Sequence, residues 1–558
     1  MAFNFRADTG LILFFLVLAT HSCSAQNKTL RSNTANGISM FSFETFTRPI
    51  FINSSENTVF KAIVKVQDAG MKPGLTRISV MFSEGSSIAD VSDIWIICSN
   101  NSSVTSDRST SGSLIHEGNR IIKTCSYYFS GGENSISLGI TLKNNASLAG
   151  KLRITEVKME FDDGTVIANS GLVFHEMRFA KKIRIAGQDN CNTYRIPGLI
   201  TTNTGTLIAV YDNRYKSSKD LQEDIDIGMS RSTDGGETWE PMRVIMDMGT
   251  YGRLPQSQNG MGDPCILYDN RSGVIIVSSL WMNGGQADKM LWWHSQPGMS
   301  PDVTGQFMIV RSFDDGLTWS APENITGQIK LPEWQLLLQG PGRGITMKDG
   351  TLVFPAQYKA DIGAKAIDGG QYTCHSTIVY SRDGGQTWSI GTGAKSNTTE
   401  SQVVELSDGS LMLNMRDDLN RSDKGSTNGR AVSITRDLGK TWQTHITSNS
   451  ALPEPNCQAA IISADLIIDG RMEKILFFSN PADRTKRANM TIKASRDEGL
   501  SWPEEYQILL NDEEGYGYSC LTIINDEYLG ILYEGKKDLL FQKIAIKDIL
   551  KDARVRNY

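Results

Sequence analysis

Histidine and cysteine, the usual nitrogen and sulfur ligands of metals, are sparse in this chain of 558 residues. Histidine occurs six times and cysteine eight times, and neither type clusters. There is no C-x-x-C pair, so a zinc site is not expected, and nothing calls for another metal or a cofactor. No segment has the roughly 18 consecutive apolar residues that a membrane-crossing helix needs, so no membrane span is expected. A basic excess is also missing. Lys and Arg number 56 against 62 Asp and Glu, a net charge of −6. That balance offers no bulk attraction to nucleic acid or to an anionic membrane. An anionic ligand would need a local cationic pocket working against this background.

The first 25 residues read as a secretion signal (1–25). Arg6 supplies the positive charge, and Leu11 to Ala19 form a short apolar run. Ser22-Cys23-Ser24-Ala25 then offers small residues for cleavage. A lipidated Cys23 is the alternative, and Thr20 and His21 fit it poorly. The expected location is therefore secreted or periplasmic. Among the later cysteines, Cys98 and Cys125 stand either as a pair or as buried free thiols.

The length exceeds one compact core at roughly 100–200 residues per domain, so two domains are expected. Residues 26–180 carry β-branched or alternating segments, such as Thr58 to Val66, Ile94 to Cys98 and Ile136 to Leu142, separated by Ser-, Asn- and Gly-rich turns. They read as a β-sandwich. An accessory carbohydrate-binding role and a purely structural one are both open for it.

From residue 181 onward a repeat dominates. Ser232-Thr-Asp234-Gly-Gly236-Glu-Thr238-Trp239 recurs at Ser312 to Trp319, Ser381 to Trp388, Thr435 to Trp442 and Ser495 to Trp502. In each copy the Asp and Ser/Thr side chains can satisfy backbone amides in a tight turn, and Gly permits positive φ. The Trp ring anchors the next strand in the core. The copies lie roughly 55–80 residues apart, as suits four-stranded propeller blades with generous loops. The fold expected is all-β, a six-bladed β-propeller (181–558) preceded by the β-sandwich, with one blade lacking a recognisable copy. The five repeated aspartates are expected to be structural, because a residue placed once per blade cannot converge on one site.

These repeats resemble the Asp boxes of the sialidase superfamily, and the similarity covers about residues 185 to 545. The motifs between the boxes are more specific. Tyr194-Arg195-Ile196-Pro197 resembles the family's Arg-Ile-Pro motif. Asn414-Met415-Arg416 and Arg487-Ala-Asn, after Asn480-Pro481, resemble the segments carrying the second and third arginines of its triad. The resemblance implies that Arg195, Arg416 and Arg487 clamp the carboxylate of sialic acid. Asp212-Asn-Arg214 resembles a strand ending that supplies a further substrate-facing arginine. Asp220, six residues on, has the offset of the acid/base aspartate. Thr399-Glu400-Ser401-Gln402 implies Glu400 as partner of the nucleophile, with Glu405 as a rival. Tyr518-Ser519-Cys520-Leu521 implies Tyr518 as the nucleophile, with Tyr516 as competitor. Leu532-Tyr533-Glu534 implies that Glu534 orients Arg195. Asp263-Pro264 resembles a position contacting the sugar-ring edge away from the glycerol chain.

Chemistry supports that assignment. Arginine offers a planar, permanently charged fork of donors suited to a carboxylate. A carboxylate nucleophile would meet repulsion at a carbon already bearing a carboxylate, and a neutral phenol avoids this until a base takes its proton. The expected partners are sialylated glycans, acted on by a monomer. A trans-sialidase or intramolecular trans-sialidase is the alternative, with Trp281, Trp292 and Trp293 either lining an acceptor site or forming blade core. A non-catalytic glycan-binding propeller is disfavoured, since a lectin needs no nucleophile pair.

Overall fold

In the computed structural model the described residues are 28–30, 38–68, 70–100, 112–168, 174–221, 223–285, 288–361, 366–551 and 555–557. The expected leader, with Cys23, lies outside them. The chain is nearly all β. Two antiparallel five-stranded sheets stack at its N-terminal end. Thr58–Val66, in the middle of the first sheet, alternates buried and exposed residues along most of its length, as a strand with one face on a core must. Val91–Asn100 and Gly132–Leu142 pair beside it. The second sheet is built around Gly74–Phe82, Arg120–Tyr128 and Ile154–Phe161. Cys98 and Cys125 are free thiols. Burial pushes the Cys98 thiol up to about 12.

Six further sheets follow, one per blade. Their inner strands begin at Thr193, Met261, Leu336, Thr398, Ala460 and Ser519. In blade 1 the strands Thr193–Thr201 and Leu207–Arg214 are buried along almost their whole length, because each blade is covered on both faces by its neighbours. Each of the five boxes forms the turn between the third and fourth strand of its blade. In the first, Ser232 Oγ donates to Asp234 Oδ1 (2.8 Å) and accepts from Gly236 N (2.9 Å). Thr238 N and Oγ1 both donate to the same carboxylate (2.9 and 2.6 Å). The five box glycines, Gly236, Gly316, Gly385, Gly439 and Gly499, all take φ between 79° and 89°. Trp239 packs edge-on against Phe541, with ring centroids 5.1 Å apart.

The sixth blade has no box for a topological reason. Its strands Ser519–Ile523, Tyr528–Glu534 and Leu539–Ala545 come from the C-terminal end, but its outer strand is Met177–Arg184. No hairpin joins third and fourth strands there, so there is no turn for a box to build. The closing strand also pairs with Ile50–Phe51 and Lys151–Leu152. It therefore belongs to the propeller and to the sandwich side at once, and one hydrophobic core runs from Phe60 and Leu138 of the sandwich to Tyr194 and Phe541 of the propeller.

Candidate active site

Strand direction sorts the residues between the two mouths of the propeller. Successive strands of a blade are antiparallel, so inner-strand starts and second-strand ends share one mouth. Arg195, Asp263, Glu400 and Tyr518 lie at or just before inner-strand starts, and Arg214, Arg416 and Glu534 at second-strand ends. Asp220 and Arg487 follow second strands in the loops above them. The box turns, at third-strand ends, fall at the opposite mouth, which agrees with a structural role for their aspartates. The inner strands also break register where they carry site residues, between Arg195 and Gly198, Gly262 and Cys265, and Thr398 and Ser401. Such bulges re-aim side chains. Ile196 has φ +58°, a conformation costly for a β-branched residue, and Asp263 has the same φ, which an aspartate tolerates more readily.

All nine residues come together. Tyr518 OH donates a short hydrogen bond to Glu400 Oε1. Arg416 Nη1 donates to Glu400 Oε2 (2.6 Å) and to Tyr518 OH (3.2 Å). Arg195 pairs with the fully buried Glu534 through Nε (2.6 Å) and with Asp220 through Nη1 (3.2 Å). Glu534 also accepts from the amides of Ile196 (2.8 Å) and Tyr518 (3.0 Å), so one carboxylate sets both an arginine and the tyrosine. Arg487 donates to the Tyr516 carbonyl (3.0 Å), and its guanidinium carbon lies 5.6 Å from the Tyr518 ring centre. Arg214 is held by Asp212 and contacts Asp220. A cavity of about 250 Å³ opens here, bounded by Asp220, Asp263, Glu400, Arg416 and Tyr518 on its polar side and by Leu221, Met290, Trp292 and Leu338 on its apolar side.

The electrostatics are divided. Burial and the neighbouring Glu400 push the Tyr518 phenol well above its ordinary value, so it stands as a neutral donor to Glu400. Burial alone would raise Asp220, but Arg214 and Arg195 outweigh it and hold the carboxyl at about 2. Burial, then Asp212 and Glu400, raise Asp263 well above the carboxylate range.

The rivals separate cleanly. Tyr516 turns its ring under Arg195, 4.1 Å from the guanidinium carbon, and has no bond to Glu400. Glu405 lies at the far end of the Glu400 strand and accepts from Lys348 N (2.8 Å). Trp281 is core, against Tyr251, whereas Trp292 and Trp293 line the cavity.

Several supporting residues had no motif to announce them. Asn456 accepts from Arg416 Nη2 (2.9 Å), donates to the Asp417 carbonyl (2.9 Å), and offers its own carbonyl to Arg487 (3.4 Å). Behind it a buried Arg430–Glu454 pair (2.6 Å) binds the Cys457 carbonyl, the Asp417 amide and the Asn414 side chain. The one available signal was the polar run Pro453-Glu454-Pro455-Asn456, two prolines fixing φ around two polar residues.

Fold and site together define a six-bladed propeller whose axis carries an arginine cluster around a tyrosine–glutamate pair. The BNR repeat-like domain family matches residues 205–531. A sialidase of Bacteroides fragilis (strain YCH46) is 44% identical over 443 residues, covering 78% of each chain. The solved structure of Hadza microbial sialidase Hz136 is 38% identical, with a TM-score of 0.79 over 90% of this chain and 99% of that one. The intramolecular trans-sialidase from Ruminococcus gnavus, solved with oseltamivir carboxylate, shares the fold at 19% identity, with a TM-score of 0.54 over 66% of this chain and 98% of that one. This chain belongs to the bacterial-type sialidases of the BNR-repeat superfamily, which are exo-acting glycoside hydrolases. Among the described residues no helix is long and apolar enough to cross a membrane.

Proposed function

We propose that the protein releases terminal α-linked sialic acid from glycoproteins, glycolipids and oligosaccharides with retention, through a covalent intermediate on Tyr518. The observation that carries this reading is the Tyr518 hydroxyl donating to Glu400 inside the arginine cluster. Arg195, Arg416 and Arg487 take the substrate carboxylate, which places the anomeric carbon over the phenol oxygen. The apolar wall of Leu221, Met290, Trp292 and Leu338 suits the acetamido methyl, and Asp263 faces the ring edge beside it.

In the first step the phenol oxygen forms a bond to the anomeric carbon as its proton passes to Glu400. The bond to the leaving oxygen breaks, and Asp220 protonates that oxygen. With its carboxyl held at about 2 by Arg214 and Arg195, Asp220 needs help to hold a proton. The incoming carboxylate provides it, by engaging Arg195 and adding negative charge nearby, both of which raise the Asp220 pKa. In the second step Asp220 takes a proton from water, the water oxygen bonds to the anomeric carbon, and Tyr518 leaves with the proton returned from Glu400.

Transfer to an acceptor is the second reading. The half-exposed Trp293 at the cavity mouth favours it, as a surface on which an acceptor sugar can stack. Residues 26–180 and 181–558 are taken as the accessory and catalytic domains, and the protein as exported. The test is release of free sialic acid from α2-3- and α2-6-linked substrates, with the product anomer followed by NMR. A β-anomer as first product would remove the retaining mechanism, and 2,7-anhydro or transferred products would favour the second reading.

A further inference from the structure

The loop between blades 5 and 6, residues 512–518, carries both tyrosines of the site, and its underside is not packed. Beneath it lies a cavity of about 270 Å³ bounded by Arg48, Phe51, Asn57, Arg487, Gly517 and Glu534. A loop that spans a void takes its position from its anchors instead of from close packing. Toward the site the anchors are Gly515 N to the Arg487 carbonyl (3.0 Å), Tyr516 N to the Gly535 carbonyl (2.9 Å) and Tyr518 N to Glu534 (3.0 Å). Gly517, at φ +85°, makes the bend that aims Tyr518, and a Cβ there would meet Pro481 at 2.8 Å.

A further anchor comes from the N-terminal sandwich. Asp512 accepts from Thr47 N through Oδ2 (2.9 Å) and from Arg48 Nε through Oδ1 (3.0 Å). Its own amide donates to the Thr47 carbonyl (2.7 Å). Thr47 is buried, and the Arg48 guanidinium lies over the Phe46 ring at 4.3 Å, so the clamp stands on an ordered base. Three bonds on one residue, two of them charge-assisted, fix a point six residues before the tyrosine.

We propose that the N-terminal sandwich is a working part of the active site: Thr47 and Arg48 hold Asp512 and so position the loop that carries Tyr516 and Tyr518. The inference rests on the reading of Tyr518 as nucleophile. Asp512 is a positioning residue, acting through two routes. The Tyr516 carbonyl receives Arg487, so a displaced loop loosens carboxylate binding. The Tyr518 backbone follows the same loop, so the nucleophile shifts against Glu400. A displacement near 1 Å at reacting atoms is enough to cost about 100-fold.

The test compares two contacts across the same interface in the full-length protein. Asp512→Ala removes the two carboxylate bonds of the clamp and leaves only the backbone bond from its amide to the Thr47 carbonyl. Asp548→Asn weakens a distant anchor, where Lys151 and Arg178 meet Asp548 at 3.0 and 2.8 Å. On an aryl sialoside, Asp512→Ala should lower kcat/KM at least tenfold, raising KM and lowering kcat, with a Tm no lower than that of Asp548→Asn. Asp548→Asn should keep kcat within twofold. Asp512→Asn, which retains an acceptor for the Thr47 amide, should fall between Asp512→Ala and the wild type. Amide hydrogen exchange at residues 513–518 should quicken in Asp512→Ala and stay unchanged in Asp548→Asn. Unchanged kinetics and exchange in Asp512→Ala would overturn the proposal, as would losses in both variants that simply track Tm. A wild type that releases no sialic acid would instead defeat the proposed function, while the exchange comparison would still decide whether the clamp exists.

Discussion

Replacing Arg416 by lysine asks whether the site needs a fork or only a charge. Arg416 places Nη1 between Glu400 and Tyr518 and sends Nη2 to Asn456 Oδ1 (2.9 Å). An ammonium at the end of a lysine can keep the Glu400 pair but cannot span the distance to Asn456 in the same pose. The loss is one hydrogen bond to a charged group plus the second arm of the clamp on the substrate carboxylate. A hydrogen bond of that kind contributes about 1.5–3 kcal/mol, which is about 10- to 150-fold in rate. Arg416→Lys should therefore lower kcat/KM on an aryl sialoside by at least that range, with both KM and kcat affected. Arg416→Ala, which leaves Glu400 without its charge partner, should do worse, by about 2–5 kcal/mol. Steady-state kinetics with a thermal melt on each variant separates lost catalysis from lost fold. Near-normal activity in Arg416→Lys would refute the carboxylate clamp as described.

Three further outcomes follow from the same geometry. Tyr518→Phe keeps the ring and removes only the oxygen, so retaining turnover should collapse with little change in Tm; a 2,3-difluoro sialic acid should add mass to Tyr518 of the wild type, and label on Glu400 instead would reverse the two roles. Asp220 has a folded pKa depressed to about 2, so its stabilising contribution is present above the unfolded value near 4 and is lost as pH falls toward 2. The Tm difference between wild type and Asp220→Asn should accordingly shrink across that window, and a difference that stays constant from pH 5 to 2 would sink the ion-pair account. Deleting residues 26–180 keeps Lys181, Lys182 and Arg184, which pair with Leu539 to Phe541, but strips Phe60, Leu138 and Phe179 from the core that Phe541 shares with the sandwich, so the truncated chain should fail to give a cooperative melt; a folded, active propeller starting at residue 181 would show that the ring closes without that core.

Much of this architecture was legible in the amino-acid order because its signals are local. A box is a turn whose Ser, Asp, Gly and Thr satisfy one another within seven residues, so five copies announce five blades with no knowledge of the rest. The motifs around Arg195, Arg416 and Tyr518 sit where a strand meets a loop, and the resemblance assigned them before any distance was known. The choice between Glu400 and Glu405 was also within reach, since five residues of strand separate them by about 16 Å and put them at opposite mouths.

The remainder depended on contacts between segments far apart in the chain. Tyr516 and Tyr518 are two residues apart and would share a face in a straight strand; only the bend at Gly517 sends one under Arg195 and the other to Glu400. Asn456 and the Arg430–Glu454 pair act on Arg416 and Glu400 through bonds that span up to 40 residues, which no periodicity encodes. The closing strand Met177–Arg184 finds its partner some 360 residues later, and Arg48 meets Asp512 across 464. Sequence order determined which residues could form blades and bear the chemistry. Closure of the ring, and the docking of the first domain against it, decided which of them stand together, because only the folded chain brings Met177–Arg184 and the strands of residues 519–545 into one sheet.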